Sequence, residues 1–156
     1  EVEEFDDSIR VRRTGPILPV NVKTMPHPGF PTDMQPQMAT MLCCAGGTSI
    51  ISEGVWDNRF KYVDELRKMG ANIQVDGKVA VIEGVEQLTG APVRALDLRA
   101  GAAMLIAGLM ADGCTEVEDI HHIERGYSDL VEKLNRLGAD IRKVTCSDNE
   151  TERALS

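Results

Sequence analysis

Aromatic residues and long apolar runs are both scarce in this sequence. Phe, Trp and Tyr together make up 4% of the chain, so we expect a core built from aliphatic side chains. The longest apolar stretch, residues 100–111, contains glycines and is shorter than the ~18–20 residues that a membrane-spanning helix needs. The N-terminus has neither the basic start nor the apolar middle of a signal peptide. We therefore expect no membrane partner.

Cysteine pairs with the spacing of a metal site are also missing. The four cysteines are Cys43, Cys44, Cys114 and Cys146. None forms a C-x-x-C pair, and two adjacent cysteines cannot easily share a disulfide or a metal ion. The three histidines lack a helical metal spacing, so we expect no metal site. Free thiols are the simplest interpretation, and they predict a cytoplasmic protein.

An excess of positive charge is absent as well. The formal net charge is −8, which argues against a general nucleic-acid or anionic-membrane binder. It does not exclude a small anionic ligand, because a few arginines can bind an anion in an acidic protein. The apolar fraction of 42% and charged fraction of 27% are typical of a globular protein. The 156 residues are enough for one domain of ordinary size.

Periodicity and turn residues predict a strand–helix–strand–helix–strand–strand order in the first half. A capping box at Thr32 and Gln35 predicts a helix that ends near residue 45. A second helix is predicted from Asn58 to Gly70, and Asp76-Gly77 predicts a β-hairpin after it. The predicted strands cover residues 8–13, 20–24, 48–53, 72–75 and 79–83.

The same order begins again in the second half. Asp33 matches Arg99, and Arg59 matches Arg125, both at a spacing of 66 residues. A repeat of this kind is a supersecondary unit that buries its apolar face against a neighbouring unit. The repeat predicts four segments along the chain. They are remnant strands of an earlier repeat at 1–25, repeat one at 26–84, repeat two at 85–145, and a polar tail at 146–156.

Asp33 is a candidate catalytic residue with two explanations. An acid in the first turn of a helix is favoured by the helix dipole, by ~0.3–1 kcal/mol, which is a structural explanation. The proline-rich loop before Asp33 is rigid, and rigid loops position reacting groups well, which is a catalytic one.

Three arginines occupy unusual places in the predicted pattern. Arg59, Arg99 and Arg125 each lie at or just before the start of a predicted helix, where a cation opposes the dipole. Equivalent places in a repeat suggest that they converge on an anion. Alternatively, each arginine pairs with an acidic residue beside it in the sequence, and both interpretations stay open at this point.

Several runs together resemble the UDP-N-acetylglucosamine enolpyruvyl transferases (1-carboxyvinyltransferases) of peptidoglycan synthesis. They follow the family's order over roughly residues 20–141. The runs are Pro-Gly-Phe-Pro-Thr-Asp-Met-Gln at 28–35, Asn-Arg-Phe at 58–60, Glu-Leu-x-x-Met-Gly-Ala at 65–71, Asp-Leu-Arg-Ala at 97–100 and His-Ile-Glu-Arg-Gly-Tyr at 122–127. The family fold is an inside-out α/β barrel in which each of two domains contains three repeats. The resemblance therefore implies an α/β (α+β) chain of about two βαβαββ repeats from the C-terminal part.

The resemblance also implies a reaction and the residues that serve it. Enolpyruvyl would pass from phosphoenolpyruvate to the 3-hydroxyl of UDP-N-acetylglucosamine, with release of phosphate and without a cofactor or metal. Asp33 would act as base for that hydroxyl, and the backbone at Val55 would contact the sugar nucleotide. Arg59, Arg99 and Arg125 would face phosphoenolpyruvate.

Two family features find no match in this chain. These are the mobile-loop cysteine and the lysine–asparagine pair of the N-terminal domain, so we expect one wall of a site and no turnover by the chain alone. Apolar faces left by an absent repeat would favour self-association. Two alternatives remain: a fragment of a 3-phosphoshikimate enolpyruvyl transferase, and a non-catalytic repeat module used for binding.

Overall fold

A computed structural model describes residues 1–145 of the chain. A first compact unit covers Glu1–Gly126, and a second begins at Tyr127. The predicted polar tail at 146–156, with Cys146, lies outside the described residues. No helix within the described range is long and apolar enough to cross a membrane.

A small hairpin and a four-stranded sheet make up the first half. Strands β1 (Val2–Glu4) and β2 (Ile9–Val11) pair antiparallel. The larger sheet has the order β3-β4-β6-β5, with β3 and β4 parallel and the other neighbours antiparallel. Its strands are β3 (Asn21–Lys23), β4 (Thr48–Ser52), β5 (Asn72–Asp76) and β6 (Val79–Glu83).

The hairpin predicted at Asp76-Gly77 is confirmed. Strands β5 and β6 pair antiparallel with Asp76 opposite Val79, so two residues form the turn. Gly77 has a φ of +56°, in the left-handed region that glycine adopts without steric cost.

Each predicted helix of the first half begins with a 3-10 turn. Thr32–Met34 leads into α1 (Gln35–Leu42), and Arg59–Tyr62 leads into α2 (Val63–Lys68). The predicted capping box at Thr32 is wrong, because neither Thr32–Met34 nor α1 has a side-chain cap. The Thr32 hydroxyl instead donates to Glu53 at 3.1 Å. Asn58 precedes the second 3-10 turn with a φ of 55° but makes no side-chain cap either.

The second half contributes two short strands and a long helix to the first unit. Strands β7 (Pro92–Arg94) and β8 (Glu116–Glu118) pair parallel. Between them runs α3 (Leu98–Met110), and the short α4 (His121–Glu124) follows β8. In the second unit, α5 covers Leu130–Arg136, and residues 139–145 form no strand.

The buried core is aliphatic, as the composition predicts. Leu42, Ile51, Leu66, Ile82 and Met104 are fully buried in one cluster. This cluster joins α1, α2 and α3 to the four-stranded sheet, so residues of both predicted repeats share it. Burying such side chains contributes about 1.5–3 kcal/mol each. The core therefore fixes the first turns of these helices, which carry the candidate functional residues.

Candidate functional site

Asp33 lies between two arginines that are distant in sequence. Arg59 Nη2 donates to Asp33 Oδ1 at 2.9 Å, and Arg99 Nη2 donates to Asp33 Oδ2 at 2.7 Å. Each carboxylate oxygen is therefore engaged by a different guanidinium. Short contacts between charged groups of this kind are stronger than neutral hydrogen bonds.

Arg59 also holds the backbone beside Asp33. The same Nη2 donates to the carbonyl of Thr32 at 3.2 Å. The Arg59 side chain is 16% exposed, whereas that of Asp33 is 53% exposed. A largely buried guanidinium thus supports an accessible carboxylate, which leaves Asp33 open to a ligand from the solvent side.

The two arginines set the ionisation of Asp33. The hydrogen bond from Arg99 is the largest influence on the pKa of Asp33. Together with the charges of Arg99 and Arg59, it outweighs desolvation and holds the pKa below the ordinary value of 3.8. Asp33 is therefore an anion at neutral pH.

Arg99 reaches Asp33 from the first turn of α3. The carboxylate of Asp97 accepts the backbone N–H groups of Arg99 and Ala100, both at 2.8 Å, and caps the helix. Such a cap stabilises a helix by about 1 kcal/mol and fixes its first turn. Asp97 therefore orients the backbone from which the Arg99 side chain extends.

For Arg59, the interpretation that it pairs with its sequence neighbour is wrong. Asp57 forms its ion pair with Lys78 at 2.7 Å, while Arg59 forms its own with Asp33. The tertiary fold, not the local sequence, chooses this partner.

Arg125 occupies a different place from the other two arginines. It lies at the C-terminal end of α4, so the prediction that it precedes a helix N-terminus is wrong. A cation is favoured at that end of a helix. Its side chain is exposed.

Two glycines bring α4 close to the start of α3. A Cβ on Gly101 would lie 2.5 Å from Cγ1 of Ile123, and one on Gly126 would lie 2.7 Å from Cδ1 of Leu98. Because Gly126 follows Arg125 and Leu98 precedes Arg99, this contact places the backbones of the two arginines near each other.

Glu53 is a further residue of the site, and our sequence analysis missed it. It is 3% exposed. Its Oε1 accepts the N–H groups of Val55 at 2.9 Å and Trp56 at 3.0 Å, while Oε2 accepts the Thr32 hydroxyl. Burial acts to raise the pKa of Glu53, but the hydrogen bonds it accepts, from the Trp56 N–H first, hold that pKa below its ordinary value.

The strand pattern contains a signal that could have identified Glu53. Ser49 and Ile51 are buried and the residues before each of them are exposed, so the alternation continues to Glu53 on the buried side. A carboxylate on that side of a strand must find donors, since a buried charge without hydrogen bonds is costly.

Val55 presents its carbonyl oxygen to any ligand that contacts its backbone. Its N–H is occupied by Glu53. The carbonyl can accept a hydrogen bond but cannot donate one, so a partner at this position must carry an N–H or O–H group.

An open cavity of about 420 Å³ lies beside this cluster. It shares Arg59 with the Asp33 ion pairs. Its lining residues are Trp56, Asp57, Asn58, Arg59, Lys61, Tyr62, Leu96 and Asp97. Across residues 1–145, no group of three or more His, Cys, Asp or Glu is placed to hold a metal ion.

Structural comparison shows which solved structures share this fold. The enolpyruvyl transferase NikO from Streptomyces tendae superposes with a TM-score of 0.85 at 38% identity, over 94% of this chain and 34% of that protein. An EPSP synthase from Acinetobacter baumannii shares the fold alone, with a TM-score of 0.54 at 24% identity over 72% of this chain and 26% of the other. The described fold is thus α/β, as predicted, and matches a portion of the fold of these enolpyruvyl transferases. Its three separate sheets form no closed barrel within residues 1–145.

Sequence comparison then identifies the family. The family profile described as EPSP synthase (3-phosphoshikimate 1-carboxyvinyltransferase) matches residues 1–134, and the chain belongs to this family.

Individual relatives carry the name that the sequence runs suggested. The chain is 59% identical over 143 residues to UDP-N-acetylglucosamine 1-carboxyvinyltransferase 3 of Caldanaerobacter subterraneus subsp. tengcongensis, covering 92% of this chain and 34% of the relative. It is 53% identical over 144 residues to UDP-N-acetylglucosamine 1-carboxyvinyltransferase 1 of Staphylococcus aureus, with the same coverage. The resemblance to these transferases is confirmed, and the chain spans about a third of the length of these two relatives.

Proposed function

We propose that this chain forms one wall of the active site of an enzyme that transfers enolpyruvyl from phosphoenolpyruvate to the 3-hydroxyl of UDP-N-acetylglucosamine. Phosphate is the second product, and the reaction serves peptidoglycan synthesis in the cytoplasm. Support comes from relatives of that name at 53% and 59% identity. The observation that carries the proposal is the ion-paired cluster of Asp33, Arg59 and Arg99.

Asp33 orients the sugar hydroxyl and takes its proton. The hydroxyl donates to the Asp33 carboxylate and attacks C2 of phosphoenolpyruvate. As the new C–O bond forms, the hydroxyl becomes acidic and its proton passes to Asp33. The low pKa of Asp33 makes it a weak base, so transfer occurs late, when the developing oxonium is a strong acid.

The bond changes balance across the two halves of the reaction. The methylene carbon C3 takes a proton from a general acid of the N-terminal domain, which gives a tetrahedral intermediate. The bond from C2 to the phosphate oxygen then breaks, phosphate leaves, and C3 loses a proton to restore the double bond.

The arginines hold the anionic groups of phosphoenolpyruvate. Asp33 and Arg59 form an acid–cation pair 26 residues apart, and the equivalent positions of the second repeat are the two cations Arg99 and Arg125. At these two places the second repeat therefore carries one cation more and one carboxylate fewer than the first. A carboxylate or phosphate of the substrate complements this added positive charge, since planar guanidinium suits both.

The sugar nucleotide contacts the carbonyl of Val55. Because the Val55 N–H is held by Glu53, that contact uses an N–H or O–H group of the ligand. Phosphate oxygens, which only accept at neutral pH, are excluded from that position.

The N-terminal domain supplies the other wall of the cleft. Without it, the orientation of both substrates and the general acid are missing, so this chain alone has negligible turnover. Exposed apolar residues of the first hairpin, Val2, Phe5, Ile9 and Val11, support self-association of the isolated chain.

Phosphate release tests the proposed function. The assay uses phosphoenolpyruvate with either UDP-N-acetylglucosamine or shikimate 3-phosphate, on this chain alone and on a protein restored to the full length of its relatives. Turnover of the restored protein with the sugar nucleotide is the expected result. Turnover with shikimate 3-phosphate would mean that this compound, and not UDP-N-acetylglucosamine, is the acceptor. A folded protein inactive with both would favour a non-catalytic binding module.

A further inference from the structure

The buried carboxylate of Glu53 joins two segments of the candidate site. One oxygen holds the loop after β4 through the N–H groups of Val55 and Trp56. The other oxygen holds the Thr32 hydroxyl, one residue before Asp33. These segments are more than 20 residues apart in sequence, and Glu53 contacts both from the end of a strand.

The support beneath Glu53 is rigid. The Glu53 N–H donates to the carbonyl of Lys78 at 2.8 Å, which continues the pairing of β4 with β6. The next residue, Gly54, donates its N–H to the Thr24 hydroxyl at 2.8 Å. A Cβ on Gly54 would collide with the carbonyl oxygen of Thr24. The loop therefore leaves the sheet along a defined path.

Thr32 is held from two sides. Its hydroxyl donates to Glu53, and its carbonyl accepts from Arg59 at 3.2 Å. The backbone immediately before Asp33 is thereby fixed between an anion and a cation. Hydrogen bonds that involve a charged group are stronger than neutral ones, so this arrangement is costly to distort.

We infer that Glu53 is a positioning residue of the proposed reaction. It fixes the distance between the Asp33 carboxylate and the Val55 carbonyl, so that both can contact the same sugar nucleotide. This inference rests on the proposed function. Asp33 accepts from the reacting hydroxyl and Val55 accepts from another group of the ligand, so the distance between them must match the ligand. Glu53 fixes that distance without touching the substrate.

Steady-state kinetics of the restored full-length protein test this role. Glu53→Ala removes both links and should lower kcat/KM for the sugar nucleotide about 100-fold, since small misplacements of reacting groups have effects of that order. The KM for phosphoenolpyruvate should change less than that for the sugar nucleotide, because the backbones of Arg59, Arg99 and Arg125 lie outside the two segments that Glu53 holds. Glu53→Gln keeps an oxygen that accepts the N–H groups of the loop, and its amide N–H can donate to Thr32 Oγ1. This variant should therefore retain most of the activity.

Glu65 provides a matched control. It is 7% exposed and also accepts a backbone N–H, that of Arg94 at 2.8 Å. Glu65→Ala should lower the melting temperature as Glu53→Ala does. It should leave the KM values for the sugar nucleotide and for phosphoenolpyruvate unchanged. Equal losses of kcat/KM in the two variants would overturn the inference.

Thr32→Val keeps the test valid if Glu53→Ala fails to fold. This variant retains the branched shape and removes only the hydroxyl that Glu53 accepts. A fall in kcat for the sugar nucleotide reaction is expected. An unchanged kcat would overturn the coupling between Glu53 and Asp33.

The fluorescence of Trp56 tests this inference independently of the proposed function. Trp56 is the single tryptophan of the 156-residue chain, and its backbone N–H donates to Glu53. Time-resolved fluorescence anisotropy of this chain should show greater local motion of Trp56 in Glu53→Ala than in Glu65→Ala. If the restored protein is inactive with both acceptors while this difference is seen, the proposed function fails and the anchoring by Glu53 stands. If Trp56 moves equally in both variants, the inference is overturned whatever the activity.

Discussion

Asp33 and Arg99 are 66 residues apart, which is the spacing of the predicted repeat, and their side chains form a 2.7 Å ion pair. Positions that match each other in the sequence therefore meet in space with opposite charge. The predicted second repeat has two cations, Arg99 and Arg125, where the predicted first repeat has Asp33 and Arg59.

Asp33→Asn should suppress turnover of the full-length protein. An amide cannot take the proton of the attacking hydroxyl, and general-base catalysis contributes typically about 10²–10⁴-fold. We expect kcat to fall by this order while the Kd for the sugar nucleotide changes much less, measured by phosphate release and by calorimetry. Asp64→Asn, on the exposed side of α2, is the control and should behave as wild type. Near-normal kcat in Asp33→Asn would remove Asp33 from the role of base.

Arg125→Ala should weaken the capture of phosphoenolpyruvate. Removing one charged contact to a substrate anion costs about 1.5–3 kcal/mol, or roughly 10- to 100-fold in KM. Arg94→Ala is the matched control, because Arg94 is also an exposed arginine. It pairs with Asp119 at a distance of 2.8 Å and is not part of the Asp33 cluster. Initial rates against phosphoenolpyruvate concentration measure the effect, and equal KM values in the two variants would contradict it.

Arg99→Ala should raise the pKa of Asp33. The hydrogen bond and charge of Arg99 lower that pKa from 3.8, so their loss moves the titration toward the ordinary value. Because the pKa of Asp33 is lower in the folded than in the unfolded chain, its contribution to stability is present above about pH 3.8 and is lost as the pH falls through the folded value.

NMR titration of the Asp33 carboxyl carbon measures this change directly. In Arg99→Ala the midpoint should lie higher than in wild type, whereas in Arg94→Ala it should not move. A midpoint that is the same in all three proteins would mean that the ion pair does not control Asp33.

Gly101→Ala should destabilise the first unit and displace Arg125. The added methyl would lie 2.5 Å from buried Ile123, and overpacking of this kind costs typically about 1–3 kcal/mol. Gly108→Ala in the same helix is the control, since its Cβ would lie 3.2 Å from Thr115. Thermal unfolding of the two variants gives the comparison, and an equal or greater loss in Gly108→Ala would contradict the packing argument.

Thiol alkylation should modify Cys114 faster than Cys43. Burial first, and the neighbouring Cys44 second, raise the pKa of Cys43 to about 12, so its reactive thiolate is scarce at pH 8. Cys114 is exposed. Mass spectrometry after brief iodoacetamide treatment should find Cys114 modified well before Cys43. Equal rates would show that the chain around Cys43, at the C-terminal end of α1, opens readily.

Much of the fold follows from local chemistry in the sequence. Asp76-Gly77 predicts the hairpin because glycine adopts a positive φ without a steric penalty. The scarcity of aromatic residues predicts the aliphatic core. The capping box at Thr32 fails because Thr32 lies inside the 3-10 turn before α1, where Pro31 is the N-cap residue, and its hydroxyl donates to Glu53. The division of the chain into repeats at 26–84 and 85–145 stays a prediction.

The sequence by itself determined which residue types lie where along the chain, including an acid and three arginines at repeat-related positions. Only the tertiary structure decided that Arg59 and Arg99 share the carboxylate of Asp33, and that Glu53 anchors the turn before it. The physical reason is that periodicity reports which face of an element is buried. The partner of a charged group depends instead on which distant segments the core packs together, and that information is not local.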